Sequence, residues 1–349
     1  MTAPYKPKPL PTVRFKDLMA KKIKIEWLIE NLIPLTATML LAGDSGVGKT
    51  WLLLDLILAV ATGGKWLGQL KCKKGAVLVF DEENAEVLIQ DRLRQLCAAR
   101  GIGKLDDLPI EFVIGQMIDL TPLKDSRNGE QTPSPQFLDL LATAHQVKPT
   151  LITFDSFIRI HHANENQSNE MKGVSSQIGR LARETGGTCV ISHHFVKSGS
   201  GASGHRIRGS GDIRAFVDLN FLVNEGKDKT IVITHDKPRW TKKIDPFTVK
   251  MSQDERRGTF NVVYVGSKPQ VKRQTPWEFL SGFLSKGSKT RAEIVKKAEG
   301  TFSARRIDEE LAYRKKSGDV AKNTHGRGAL YSLAGIKPLS RIRVTGLPS

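Results

Sequence analysis

Gly43-Asp44-Ser45-Gly46-Val47-Gly48-Lys49-Thr50 satisfies G-x-x-x-x-G-K-[ST] at every fixed position, and its flanks decide what that means. The run 37–42 before it, Ala-Thr-Met-Leu-Leu-Ala, reads as a buried strand, and 51–61 after it reads as an apolar helix. That is the strand-loop-helix setting in which such a loop cradles phosphate. Its glycines let successive backbone N–H groups turn toward one anion, and the helix N-terminus adds its dipole. Lys49 would reach the β- and γ-phosphates of ATP, Thr50 would hold Mg²⁺, and Trp51 ends the segment expected to touch nucleotide. A Gly-rich turn that binds nothing is the competing reading.

Working outward, short apolar runs at 39–42, 76–80, 110–114, 150–155, 188–192, 219–223, 231–235 and 260–265 alternate with helical patterns. This alternation predicts an α/β fold with a mostly parallel sheet flanked by helices, and the closely spaced last strands read as antiparallel. Helical spacing is clear over 85–100 (Val87, Leu88, Leu93, Leu96) and 174–185 (Ile178, Leu181, Ala182), with Gly101 and Gly186 as stops. Three loops, 124–135, 161–172 and 197–211, are too polar to be core. The third interleaves five glycines with Lys197, His205, Arg206 and Arg208, so it could lay backbone against a phosphate chain.

Composition bounds the class. The 349 residues are 39% hydrophobic and 26% charged, ordinary for a globular chain. No window reaches the ~18 apolar residues of a membrane span. The Pro- and Lys-rich start lacks the apolar stretch of a secretion signal, and the expected compartment is the cytoplasm. Cys72, Cys97 and Cys189 lie far apart and read as reduced thiols, not a zinc site. Of the net charge of +18, most lies at the C-terminal end, where 266–349 carry 18 Lys and Arg against 7 Asp and Glu. A basic appendage on a near-neutral core suggests a polyanion partner, nucleic acid first.

The chain therefore divides into a Pro/Lys-rich arm (1–24), an ATPase domain (25–265), a linker (266–276), a small C-terminal domain (277–335) and a basic tail (336–349). The order of helices and strands over 277–335 resembles a winged helix. Thr290 would cap one helix and Ser303 a recognition helix carrying Arg305, Arg306, Arg314, Lys315 and Lys316, with 328–333 as the returning strand of the wing.

Further chemistry gathers at strand ends. Thr150-Leu151-Ile152-Thr153-Phe154-Asp155 is an apolar strand ending in a carboxylate, the provision Mg²⁺ needs beside a phosphate loop. Strand 76–80 runs into Asp81-Glu82-Glu83-Asn84, where an acid could polarise an attacking water. One of the three acids could instead serve the N-terminal dipole of the following helix. Strand 188–192 ends in His193-His194, placed to switch hydrogen bonds with the γ-phosphate state. No third ligand sits at useful spacing to make that pair a metal site.

These motifs, together with Arg208-Gly209-Ser210, the entry Ile25-Glu26-Trp27-Leu28 and the group His161, Glu165 and Asn166, resemble the RecA-like ATPases of the plasmid RepA hexameric helicase kind over about residues 20–265. The resemblance implies Glu83 as the catalytic glutamate with Glu82 in reserve, and His194, beside His193, as sensor. Lys237-Pro238-Arg239 resembles the K-x-R finger of DnaB-type helicases, completing a neighbour's site, with Arg214 as a competing finger. A ring-shaped homohexamer would then translocate single-stranded DNA through its pore past Lys197, Arg206 and Arg208, in plasmid or phage-type replication. Two other classes share the fold: an ATP-regulated DNA-binding initiator or regulator without unwinding, and a recombination-type filament or clock-like ring.

Overall fold

The computed structural model describes residues 10–124, 131–195, 211–228, 230–266, 276–299, 302–325 and 328–334. The chain divides into two compact units, 1–271 and 272–349.

The first unit is built on nine strands: β1 Thr38–Gly43, β2 Val77–Asp81, β3 Ile110–Ile114, β4 Leu151–Asp155, β5 Thr188–His194, β6 Leu219–Glu225, β7 Thr230–Pro238, β8 Phe247–Asp254 and β9 Thr259–Val265. Their order in the sheet is β9-β8-β7-β6-β1-β5-β4-β2-β3. The pairs from β6 to β3 are all parallel, and β7, β8 and β9 extend the sheet antiparallel. This is the mostly parallel α/β architecture expected. Strand β8 was not among the sequence-derived strands, because its outer half carries the exposed polar residues Lys250, Ser252 and Gln253.

Helices cover both faces. α1 Lys49–Thr62 and α2 Glu86–Arg100 pack on the side of Met39 and Leu41, and α3 Pro135–Val147 and α4 Ser168–Thr185 on the side of Leu40 and Ala42. Alternate residues of one strand thus feed two cores. α1 is apolar nearly all round, as a helix buried beneath the sheet should be. Its one acid, Asp55, is 2% exposed and is neutralised by Arg100 from α2, whose Nε donates at 2.9 Å, and by the Leu67 N–H.

Three expectations need correction. α2 buries Ile89, Leu96 and Cys97, whereas Val87 and Leu88 face solvent, so the buried stripe begins at Ile89 and not at Val87 and Leu88. α3 went unread, although Ser134 caps it by accepting from the Phe137 N–H and Pro135 opens it. The segment 161–172 is not wholly a polar surface loop: His161, Ala163, Glu165 and Met171 are buried and α4 begins at Ser168.

The second unit runs helix Pro276–Leu284, strand Lys289–Thr290, helix Arg291–Ala298, helix Ala304–Ser317, then the hairpin Val320–His325 and Gly328–Leu333. Gly328–Leu333 is the central strand of the three. Leu280, Leu284, Ile294, Ala298, Ile307, Leu311 and Val320 form its core. Thr290 and Glu293 make a reciprocal capping box, and Ser303 accepts from the Arg306 N–H. Arg314 departs from its expected place on an open basic face. It is half-buried over the Trp277 ring at 4.3 Å and tied to Glu310 and Asp319, so it holds the unit together.

Candidate active site

The site lies where the parallel strands end. Gly43 ends β1 and the loop 44–48 delivers Lys49 and Thr50 to the start of α1. Two glycines are obligatory here. A Cβ on Gly43 would stand 2.5 Å from the Val223 carbonyl of the next strand, and Gly48 has φ +100° with the Met251 sulfur 2.8 Å from a would-be Cβ. The Lys49 ammonium donates to the carbonyls of Gly43 (3.0 Å) and Asp44 (2.8 Å) and lies 3.4 Å from His194 Nδ1. Burial lowers its pKa, against the pull of Asp155, Glu83 and Asp44.

Register carries the other groups to the same edge. His194 on β5 pairs with Gly43, and Asp155 on β4 pairs with Asp81 on β2. Thr50 Oγ1 donates to Asp155 Oδ2 at 2.8 Å. Burial pushes the Asp155 carboxyl up, with Thr50 and Ser192 donating against that shift. A buried carboxylate and a hydroxyl in contact are hard oxygen donors, few in number, and they fit Mg²⁺, which takes its remaining ligands from phosphate and water. No cluster of three or more His, Cys, Asp or Glu capable of holding a metal by itself occurs among the described residues.

The three acids after β2 separate by role. Asp81 is 3% exposed and accepts from the N–H groups of Glu83 and Asn84 and from the Asn84 amide, bracing the turn. Glu82 accepts from the N–H groups of Gln116, Met117 and Ile118 at 3.2, 3.1 and 3.4 Å, so it fixes the loop after β3 and does not line the cleft. Glu83 alone lines the cleft with Lys49, Thr50, Asp155 and His194. Its Oε2 lies 3.6 Å from His194 Nε2. His194 chiefly, with Ser156 and Lys49, outweighs desolvation and holds the Glu83 carboxyl at about 2, so it is ionised throughout the physiological range. Because the Lys49 ammonium can only donate, His194 Nδ1 accepts there and Nε2–H points at Glu83.

His193 does not share the cleft. Its ring is buried beneath it, 3.9 Å from Glu165, with Phe157 edge-on at 5.3 Å, and His161 meets the same carboxylate at 3.8 Å. The cleft also contains Asn84, Arg92 and Ser192, which the sequence reading missed. The Arg92 guanidinium donates to Asn84 Oδ1 at 3.1 Å. Its place in the helix that begins at Glu86, just after the acids, was the available signal.

The finger candidates occupy the opposite end of the strands. Pro238 pairs with Leu219, which pairs with Met39, whereas Gly43 pairs with Val223. Four residues of strand, roughly 13 Å, separate the two ends. Arg214 and Arg239 share one cluster. Arg214 Nε bonds Asp236 at 2.8 Å, Arg239 Nη1 bonds Asp218 at 2.9 Å, and Lys237 donates to the Arg214 and Ala215 carbonyls at 2.9 and 2.6 Å. Lys197, Arg206 and Arg208 lie outside the described residues, while Arg305 and Arg306 are exposed in the second unit.

A phosphate loop at the tip of a parallel strand, a Thr–Asp pair for a divalent cation and an ionised glutamate in one cleft define the class of P-loop ATPases. A family model for the AAA domain matches residues 4–200, more than half of the chain, and the chain belongs to that family. Among solved structures it is similar to a KaiC-like protein from the hyperthermophilic archaeon Pyrococcus horikoshii OT3, at 14% identity and a TM-score of 0.45, over 67% of this chain and 93% of that one. No helix among the described residues is long and apolar enough to cross a membrane.

Proposed function

We propose that this ATPase is a DNA translocase or helicase of the RepA-like kind, working as a ring of identical subunits, a hexamer on that resemblance. One observation carries the reading: Arg239, Lys237 and Arg214 cluster at the strand end opposite their own phosphate loop, so only another copy could bring them to ATP. In this mechanism the loop N–H groups and Lys49 hold the β- and γ-phosphates. Thr50 and Asp155 would hold Mg²⁺, which neutralises phosphate charge when bound. Glu83 orients the attacking water and accepts its proton. His194, between Lys49 and Glu83, meets the γ-phosphate and exchanges that contact for Lys49 after hydrolysis. The chain continues from His194 directly into 197–211, whose Lys197, Arg206 and Arg208 would grip single-stranded DNA, so each hydrolysis would pull on the strand. The C-terminal unit, with helix-strand-helix-helix-hairpin order and exposed Arg305 and Arg306, fits a winged helix that contacts DNA.

Mixing subunits tests the shared site. Lys49→Ala and Arg239→Ala should each be inactive alone, and an equal mixture should regain roughly a quarter of the parent rate, since that share of interfaces carries both intact groups. A mixture as inactive as its parts would remove the case for a site completed by a second copy.

A further inference from the structure

A second recess lies at the end of the strands away from the phosphate loop. It is a pocket of about 410 Å³ lined by α4, by Phe216 and Asp218 before β6, and by Arg239 and Trp240 after β7. Small-molecule sites occupy roughly 300–1,000 Å³. Thr38, which also lines it, begins β1, and five residues of strand, roughly 16 Å, separate it from Gly43. Two guanidiniums, Arg183 and Arg239, stand there against one carboxylate, Asp218. Asp218 is already satisfied, accepting from the Thr38 N–H at 3.0 Å, the Thr38 hydroxyl at 3.1 Å and Arg239 Nη1 at 2.9 Å. Arg183 has no carboxylate partner among the described residues. Its guanidinium lies back along α4 over Gly179, where a Cβ would stand 3.1 Å from Nη1. One turn earlier on the same stripe, Ser175 is 8% exposed and its Oγ has no hydrogen-bond partner. A buried hydroxyl and an unpaired guanidinium on one helix stripe call for an anion rich in acceptors. Beside them, Phe216 and Trp240, the latter 47% exposed, offer flat apolar surface.

We propose that this pocket is a binding site for a nucleoside monophosphate unit, with the phosphate on Arg183 and Ser175 and the base against Trp240. A free nucleotide and one residue of a single strand present that same chemistry. The planar fork of Arg183 matches two phosphate oxygens, and the Ser175 hydroxyl donates to a third. An indole stacks on any base, because every base has a π-face, so the pocket selects a phosphate joined to a flat ring and not one base in particular. These contacts use neither the phosphate loop nor the Arg239–Asp218 pair. The site therefore stands or falls separately from hydrolysis and from any role of Arg239 at a neighbouring subunit.

Equilibrium dialysis of AMP, adenosine, inorganic phosphate and a short oligothymidylate against the full-length protein tests this, with Lys49→Ala present throughout to silence the phosphate loop. Arg183→Ala should weaken AMP and phosphate about tenfold and leave adenosine unchanged. Trp240→Ala should weaken AMP and adenosine about tenfold and leave phosphate unchanged. Both side chains are exposed, so both variants should melt with the parent. Oligothymidylate that binds more tightly than AMP, and weakens in both variants, supports the site with a strand as its source. AMP that binds as tightly or more so, with the pattern above, supports it with the free nucleotide. AMP affinity that neither variant moves, or equal weakening of all three small probes by each variant, overturns the site, as does a protein that binds neither AMP nor oligothymidylate.

Discussion

Glu82 and Glu83 are adjacent, identical in chemistry and opposite in environment, so exchanging each for Gln separates hydrolysis from architecture. Glu83 lines the cleft, and its carboxyl, held at about 2 chiefly by His194, is fully ionised near neutral pH. Glu83→Gln keeps the shape and removes the base. The expected loss of kcat is 10²–10⁴-fold, the usual contribution of a positioned general base, or about 3–5 kcal/mol in the barrier. Nucleotide affinity should change little, because Lys49, Thr50 and the loop N–H groups remain. Glu82 instead receives three backbone N–H bonds between 3.1 and 3.4 Å. Glu82→Gln leaves one amide oxygen to accept and sets an NH₂ against those donors, costing about 1–3 kcal/mol of stability for partly solvated, charge-assisted bonds. Its kcat should stay within about threefold of the parent, since Glu82 does not line the cleft. Phosphate release at saturating ATP, beside a thermal melt, reads both quantities. A Glu82→Gln enzyme that is catalytically dead while Glu83→Gln retains its rate would refute the assignment.

Acid should destabilise the ATPase unit well above the carboxylate range. Burial lowers His161 and His235 from 6.5 to about 4, so the folded protein refuses protons that the unfolded chain accepts. The stability they supply is complete above pH 6.5 and is lost as pH falls toward 4, at most about 3 kcal/mol for each. The raised carboxyls of Asp55, Asp81 and Asp155 act in the opposite sense at the lower end. Urea midpoints across that window should fall steeply in the parent and less so in His235→Phe; equal slopes would contradict this. In the second unit, Arg314→Ala should lower melting temperature, because it removes the Trp277 stack and two ion pairs. Arg306→Ala should leave melting unchanged and reduce the salt slope of DNA binding by about 0.9 if it meets a phosphate; a slope that does not move removes Arg306 from the DNA surface.

The phosphate loop, Asp155 and the parallel sheet were legible because each is local: an apolar run, a turn, a charge at its end. His193 against His194 was not, since neighbours on a strand point to opposite sides, nor was Glu82 against Glu83, which sit in the turn after β2 where only packing shows which one faces the cleft. His161 and Glu165 were read as polar loop because the His193 they gather with comes from a separate segment. α3 was hidden because its start, Ser134-Pro135, closes a polar stretch that reads as loop, and β8 because an outer strand needs few apolar residues. The Trp51–Phe260 stack was invisible for the same reason as the finger cluster: both join residues far apart in sequence.

The central claim is a motor driven by ATP along single-stranded DNA, and its most direct test is the rate of ATP hydrolysis with no DNA, with duplex and with single strands, using Lys49→Ala and Glu83→Gln beside the parent. The parent should be strongly stimulated by single strands and weakly by duplex, and the two variants by neither. Hydrolysis by the parent that is indifferent to every DNA would contradict it and leave the ATP-regulated binding protein as the better reading.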